Sequence, residues 1–214
     1  VNNSGVVATD VTGVGTARET LTATRYGVGL AIFGYGYAGG FSSLTNLVSN
    51  SGVVATDTTG VGTARTGLAA AEYGVGLAIF GYGEGGGVQS MTNLVSNVGV
   101  VSADVTGVGQ VRVYLAAAEY GGDKAIFAYG SNGGSVYYNV SNLVSNVGVV
   151  ATDTTGVGTA RHYIAATMYG ADKAIFAYGS NPSNVSMSNL VNNSGVIASD
   201  VTGVGTARNG VKGA

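Results

Sequence analysis

The chain has 214 residues, of which 38 are glycine and one is proline, and it contains neither cysteine nor tryptophan. Charged residues make up 9%, against about 25% in an average globular domain, and the formal net charge is -2. A hydrophobic share of 45% can build a core, so the composition excludes a disordered tail. It also excludes collagen, whose glycines recur every third residue, and any disulfide framework or thiolate site. With nine dispersed basic residues there is no positive stripe for a phosphate backbone, so no nucleic-acid partner is expected. No apolar run approaches the ~18 residues of a spanning helix, so no membrane insertion is expected.

The chain opens on residues 1–18, which return almost unchanged as residues 191–208, differing only at Val7/Ile197 and Thr9/Ser199. The segment starting at Gly5 recurs at Gly52, Gly99, Gly148 and Gly195, spaced by 47, 47, 49 and 47 residues. A second element starts at Ala31, Ala78, Ala125 and Ala174 with the same period. In the second unit, run A is Leu68–Tyr73, run B Ala78–Tyr82 and run C Met91–Val95; run D is Val53–Thr56 or its copy Val100–Ala103. Each run is too short for an ordinary helix, is rich in β-formers and is bounded by glycine turns, which predicts strands. Four strands at a period near 47 match a β-propeller blade. The small residues Leu115–Ala118 and Ile164–Thr167 suit innermost strands near an axis, and Phe33, Phe80, Phe127 and Phe176 are expected between neighbouring blades.

The unit Ala64-Arg65-Thr66-Gly67-Leu68-Ala69-Ala70, followed by Ala78–Gly83 and then Met91–Val95, resembles the kelch repeat of β-propellers. The likeness lies in an Arg before the first strand, an apolar second strand ending in glycines and an Asn-bearing third strand. The kelch double glycine is replaced by Gly-Tyr-Gly or Ala-Tyr-Gly, and the kelch tryptophan is absent. The repeat is also similar to low-charge, Gly-rich propeller-like repeats of phage and metagenomic sequences. The resemblance implies an all-β single domain, 1–214, with four full blades at 19–65, 66–112, 113–161 and 162–208 and a tail at 209–214. Residues 1–18 form the surplus strand, expected to close the ring or to pair with another chain and give a homo-oligomer.

Asp10, Asp57, Asp104, Asp153 and Asp200 each precede Arg18, Arg65, Arg112, Arg161 and Arg208 by eight residues. Charges repeated in every unit read as folding code rather than as one site: Asp accepting from the turn that follows it, Arg holding an acidic group or strand-end carbonyls. Tyr35, Tyr82, Tyr129 and Tyr178 end run B. With Phe41, Tyr137 and Tyr138 in the variable B–C loops, they are the candidate ligand-binding residues, as aromatic platforms for sugar rings. His162 lacks a second His or Cys and reads as a surface residue. No nucleophile–base pair, metal cluster or cofactor motif emerges, so no catalytic residue, metal or cofactor is expected. The expected function is a non-enzymatic recognition or structural module, a surface or virion adhesin for glycans or cell-surface polysaccharide, with an extracellular or virion-surface location. The alternative is a purely structural repeat array, a segment of a larger chain or an engineered propeller, that self-associates by strand exchange. Binding to ice or mineral ranks lower, because the threonines have no regular one-face spacing.

Overall fold

A computed structural model describes residues 4 and 6–213. No helix occurs among them, and twelve strands form four three-stranded antiparallel sheets. The first sheet is β1 (Thr22–Tyr26), β2 (Leu30–Gly34) and β3 (Thr45–Val48), and the second is β4 (Ala69–Tyr73), β5 (Leu77–Gly81) and β6 (Thr92–Val95). The third is β7 (Ala116–Tyr120), β8 (Lys124–Ala128) and β9 (Ser141–Val144). The fourth is β10 (Ala165–Tyr169), β11 (Lys173–Ala177) and β14 (Ser188–Val191), with a short pair β12 (Ser180–Asn181) and β13 (Ser183–Asn184) inserted in its B–C loop. Runs A, B and C therefore fold as strands. Their register repeats from unit to unit, with Ala69 opposite Gly81, Ala116 opposite Ala128 and Ala165 opposite Ala177.

Run D corrects the expectation of four-stranded blades. It touches strand C through only two isolated bridges per unit, Val48 with Val54 and Thr45 with Thr58 in the first. Three residue steps along β3 thus correspond to four along run D, the signature of a bulge, which breaks the ladder and turns the intervening Asp57 toward the sheet. The expected closing strand is corrected as well: residues 6–18 form no strand and no ladder with the last unit. Residues 1–3 and 5 lie outside the described residues.

The sheets stand side by side with their first strands adjacent, β1 beside β4, β4 beside β7 and β7 beside β10. Among the described residues no sheet closes on itself. A cavity of about 300 Å³ runs between the first strands and is lined by Ala23, Ala70, Ala117 and Ala166, so small residues of run A from all four sheets face one shared cavity. At the far end of these strands Arg25 meets Glu72 at 3.1 Å and Glu119 at 3.5 Å.

The core lies between sheets rather than inside one. Phe80, fully buried, sets its ring edge against Tyr35 of the preceding unit at 5.2 Å, and Phe127 meets Tyr82 at 5.1 Å in the same way. A Cβ on Gly34 would come within 2.7 Å of the Phe80 ring, so glycine there sets how closely the units approach. In the third unit Ala128 holds that place, and the Tyr129–Phe176 pair opens to 5.5 Å and tilts. Removing the Phe80 side chain would leave a cavity at this joint. Phe80→Ala is expected to destabilise the fold by about 3–5 kcal/mol in denaturant unfolding, whereas Phe33→Ala, at a position 38% exposed, should cost a small fraction of that.

Candidate functional site

The repeated charges build one network per unit, and it crosses the chain differently from their sequence spacing. Arg65 opens the second unit and is fully buried. Its Nη1 donates to the carbonyls of Tyr82 at 3.2 Å and Met91 at 2.8 Å, and its Nη2 donates to Asn93 Oδ1. Asn93, also fully buried, donates from Nδ2 to Ser102 O at 3.1 Å and to Asp104 Oδ1 at 2.9 Å. Asp104 in turn accepts from the Thr63 amide at 3.0 Å and the Thr63 hydroxyl at 2.7 Å. The partner of each Asp is thus the connection arriving from the preceding unit, 41 residues upstream in this case, and not the turn that follows it. Arg18–Asn46–Asp57, Arg112–Asn142–Asp153 and Arg161–Asn189–Asp200 repeat the arrangement. Asp10 and Arg208 stand outside it: Asp10 is exposed, and Arg208 lies over the Tyr178 ring at 4.4 Å and donates to its hydroxyl at 2.8 Å.

The guanidinium also rests on the tyrosine of the unit before, Arg65 over Tyr35 at 5.0 Å, Arg112 over Tyr82 at 4.5 Å and Arg161 over Tyr129 at 4.3 Å. Tyr35, Tyr82 and Tyr129 are fully buried, which removes them as platforms for a ligand. All three hold φ between 62° and 65°, a left-handed conformation rare for a bulky residue, kept in place by the arginine on one side and phenylalanine on the other. Burial raises the Tyr129 phenol to about 12 although Arg161 opposes the shift. Tyr178 is half-buried beneath Arg208.

The remaining candidates separate. Phe41 is 41% exposed and sets its ring edge to Tyr37 at 6.0 Å in the first unit's B–C loop. Tyr138 works through its backbone, donating to Gly130 O at 2.8 Å and accepting from the Arg161 amide at 3.3 Å. Tyr137 belongs to a cluster that sequence reasoning did not assemble. Its ring lies 4.7 Å from His162, which lies 4.4 Å from Tyr163, which stacks on Tyr114 at 4.3 Å with a 30° tilt. His162 Nδ1 has no hydrogen-bond partner, and desolvation lowers the pKa of the ring. Tyr163 is 37% exposed, and burial together with the Tyr114 hydroxyl raises its phenol to about 12.

A signal for this cluster does exist in the sequence. Tyr114 and Tyr163 fill positions taken by Thr20 and Gly67 in the other units, so both depart from the repeat. Tyr114 and Tyr163 also hold positive φ, 56° and 50°, at a point where backbone bonds run from unit to unit. Among the described residues no group of three or more His, Asp or Glu could hold a metal ion.

No protein-family model matches the sequence, and no curated protein matches it. Repeated small antiparallel sheets in an all-β chain are compatible with a propeller-like fold.

The network makes two predictions. Asn93→Ala strips a buried arginine of one acceptor and should cost about 2–4 kcal/mol, read as a shift of the urea midpoint at constant slope. The second concerns acid. The Asn46 and Thr16 hydrogen bonds lower the pKa of Asp57; for Asp104 burial pulls upward, but Asn93 and Thr63 outweigh it and the net shift is also down. Carboxylates with lowered folded values stabilise above their unfolded pKa, about 3.9. Their contribution is lost as pH falls through the folded values. The melting temperature should therefore hold from pH 7 to about 4 and drop steeply below, less steeply in Asp104→Asn.

Proposed function

We propose that the chain is a non-enzymatic, kelch-like propeller module that recognises carbohydrate through the cluster Tyr114, Tyr137, His162 and Tyr163. The supporting observation is that four aromatic rings, within 4.3–6.3 Å of their neighbours and only partly buried, sit together, with Tyr114 and Tyr163 standing where the first two units carry Thr20 and Gly67 and His162 where they carry Glu19 and Thr66. Stiff amphipathic rings with a polar tip present apolar faces to the C–H side of a sugar while their hydroxyls and the imidazole meet its hydroxyl groups. A scaffold of near-identical units that departs from its own pattern at one rim has the form of a site grafted on a fold.

The test is calorimetric titration with soluble polysaccharides and their oligosaccharides, with circular dichroism melts beside it. The double variant Tyr137→Ala/Tyr163→Ala should lose roughly tenfold or more in affinity, about 1.4 kcal/mol, while keeping the wild-type melt. Binding should be flat above pH 6.5 and change below, as His162 protonates at a lower pH than an ordinary histidine. Wild-type affinity in the double variant would sink the assignment of the cluster.

A second reading, a structural array that self-associates, is favoured by the unfilled faces of the first and last units, where Phe33 is 38% and Tyr169 39% exposed. Silence toward every polysaccharide, together with concentration-dependent sedimentation, would select it.

A further inference from the structure

We propose that the open side of this fold is a seat for strands A to C of one further unit of the same repeat, and that residues 6–11 supply that unit's run D. The argument starts from the three joints between units, which are built alike. At each, a tyrosine ending strand A packs on a glycine of the next unit, Tyr26 on Gly99, Tyr73 on Gly148 and Tyr120 on Gly195. The amide that follows donates across the joint, Gly27 to Gly76 O at 2.8 Å, Gly74 to Asp123 O at 2.7 Å and Gly121 to Asp172 O at 2.8 Å. Tyr35, Tyr82 and Tyr129 receive the phenylalanine of the next unit.

The fourth unit offers the first half of a joint and the first unit offers the second half. Tyr169 is 39% exposed where Tyr26, Tyr73 and Tyr120 are each 3% exposed, and Gly170 makes no bond matching that of Gly121. On the other side Phe33 is 38% exposed where its three counterparts are buried, and a Cβ on Gly52 would meet nothing within 4 Å where one on Gly99, Gly148 or Gly195 would meet a tyrosine ring. Arg18 has no tyrosine beneath it, and its Nε and Nη1 are buried without hydrogen bonds.

The width of the opening is set by the tail. A backbone ladder runs from unit to unit, Gly67 to Thr20 O, Tyr114 to Gly67 O and Tyr163 to Tyr114 O, and it continues with Gly210 to Tyr163 O at 3.0 Å. Val211–Gly213 then lie where a fifth strand A begins, lining the axial cavity together with Ala166 on one side and Leu21 and Phe33 on the other. One unit therefore spans from β10 to β1. Thr16 and Arg18 are already docked on Asp57 and Asn46 as at every joint, which leaves the segment before them, with Asp10, as the run D that the added strands lack.

The decisive experiment lengthens the chain. A copy of residues 66–98 placed after Arg208 supplies strands A to C, and the extended and 214-residue chains are compared by sedimentation and thermal melting. The extended chain should be a monomer with one cooperative transition at a higher temperature. In it, Asp10→Ala and Phe33→Ala should lower the melt by as much as Asp104→Ala and Phe80→Ala do, while both stay nearly silent in the 214-residue chain. A melt no higher than that of the original chain, association of the extended chain, or silence of Asp10→Ala and Phe33→Ala within it would each overturn the proposal. An open linear stack gives the last outcome, since added units there contact only their neighbours.

Discussion

The fold depends on a buried arginine. A guanidinium removed from water is stable only when its donors are met and its charge is balanced. Arg65 meets both demands with local material: the carbonyls that end strand B and precede strand C, the Asn93 amide, and behind it the Asp104 carboxylate. Burial lowers the proton affinity of this guanidinium, and Tyr35 and Asp104 offset part of that penalty. The demands fix geometry. Strand C must present Asn inward, run D must bulge so that its Asp reaches the Asn, and the incoming connection must cross the Asp to be held by it. One side chain thereby ties together four segments of the unit.

The same arginine joins units as well as building them. Resting on Tyr35, it traps that residue in a left-handed conformation and leaves the outer edge of the ring for Phe80. Each joint thus couples charge satisfaction, aromatic packing and backbone strain in one place, which explains why the hydrophobic core divides into three clusters between sheets. The terminal units show the joint by halves. Arg18 reaches Asn46 but has no ring to rest on, whereas Arg208 has its ring, Tyr178, and no described asparagine to bind.

Because the repeated residues are used up in building units and joints, they are poor places to look for recognition. Tyr35, Tyr82 and Tyr129 illustrate this: their regular recurrence beside glycine suggested a row of ligand platforms, and it is the mark of a buried structural role. Positions where units differ carry the freedom to bind. Tyr114, His162 and Tyr163 differ from their counterparts in the first two units, and the fold brings them to Tyr137.

By itself the sequence determined the all-β class, the period and the location of strands A to C. These follow from local chemistry, since short β-branched and aromatic runs between glycines have few alternatives to strands. Small residues in run A and phenylalanine in run B were legible for the same reason. Tertiary structure alone decided which Arg serves which Asp, because that pairing runs through Asn and links each Arg to the Asp at the far end of the unit it opens, not to the Asp eight residues before it. It decided that run D bulges out of the ladder, that residues 6–18 form no closing strand, and that Tyr35, Tyr82 and Tyr129 are buried. The Arg and Asp pairing rests on contacts between residues 28 and 41 positions apart, and spacing along a chain does not report which faces meet when one unit is laid against the next.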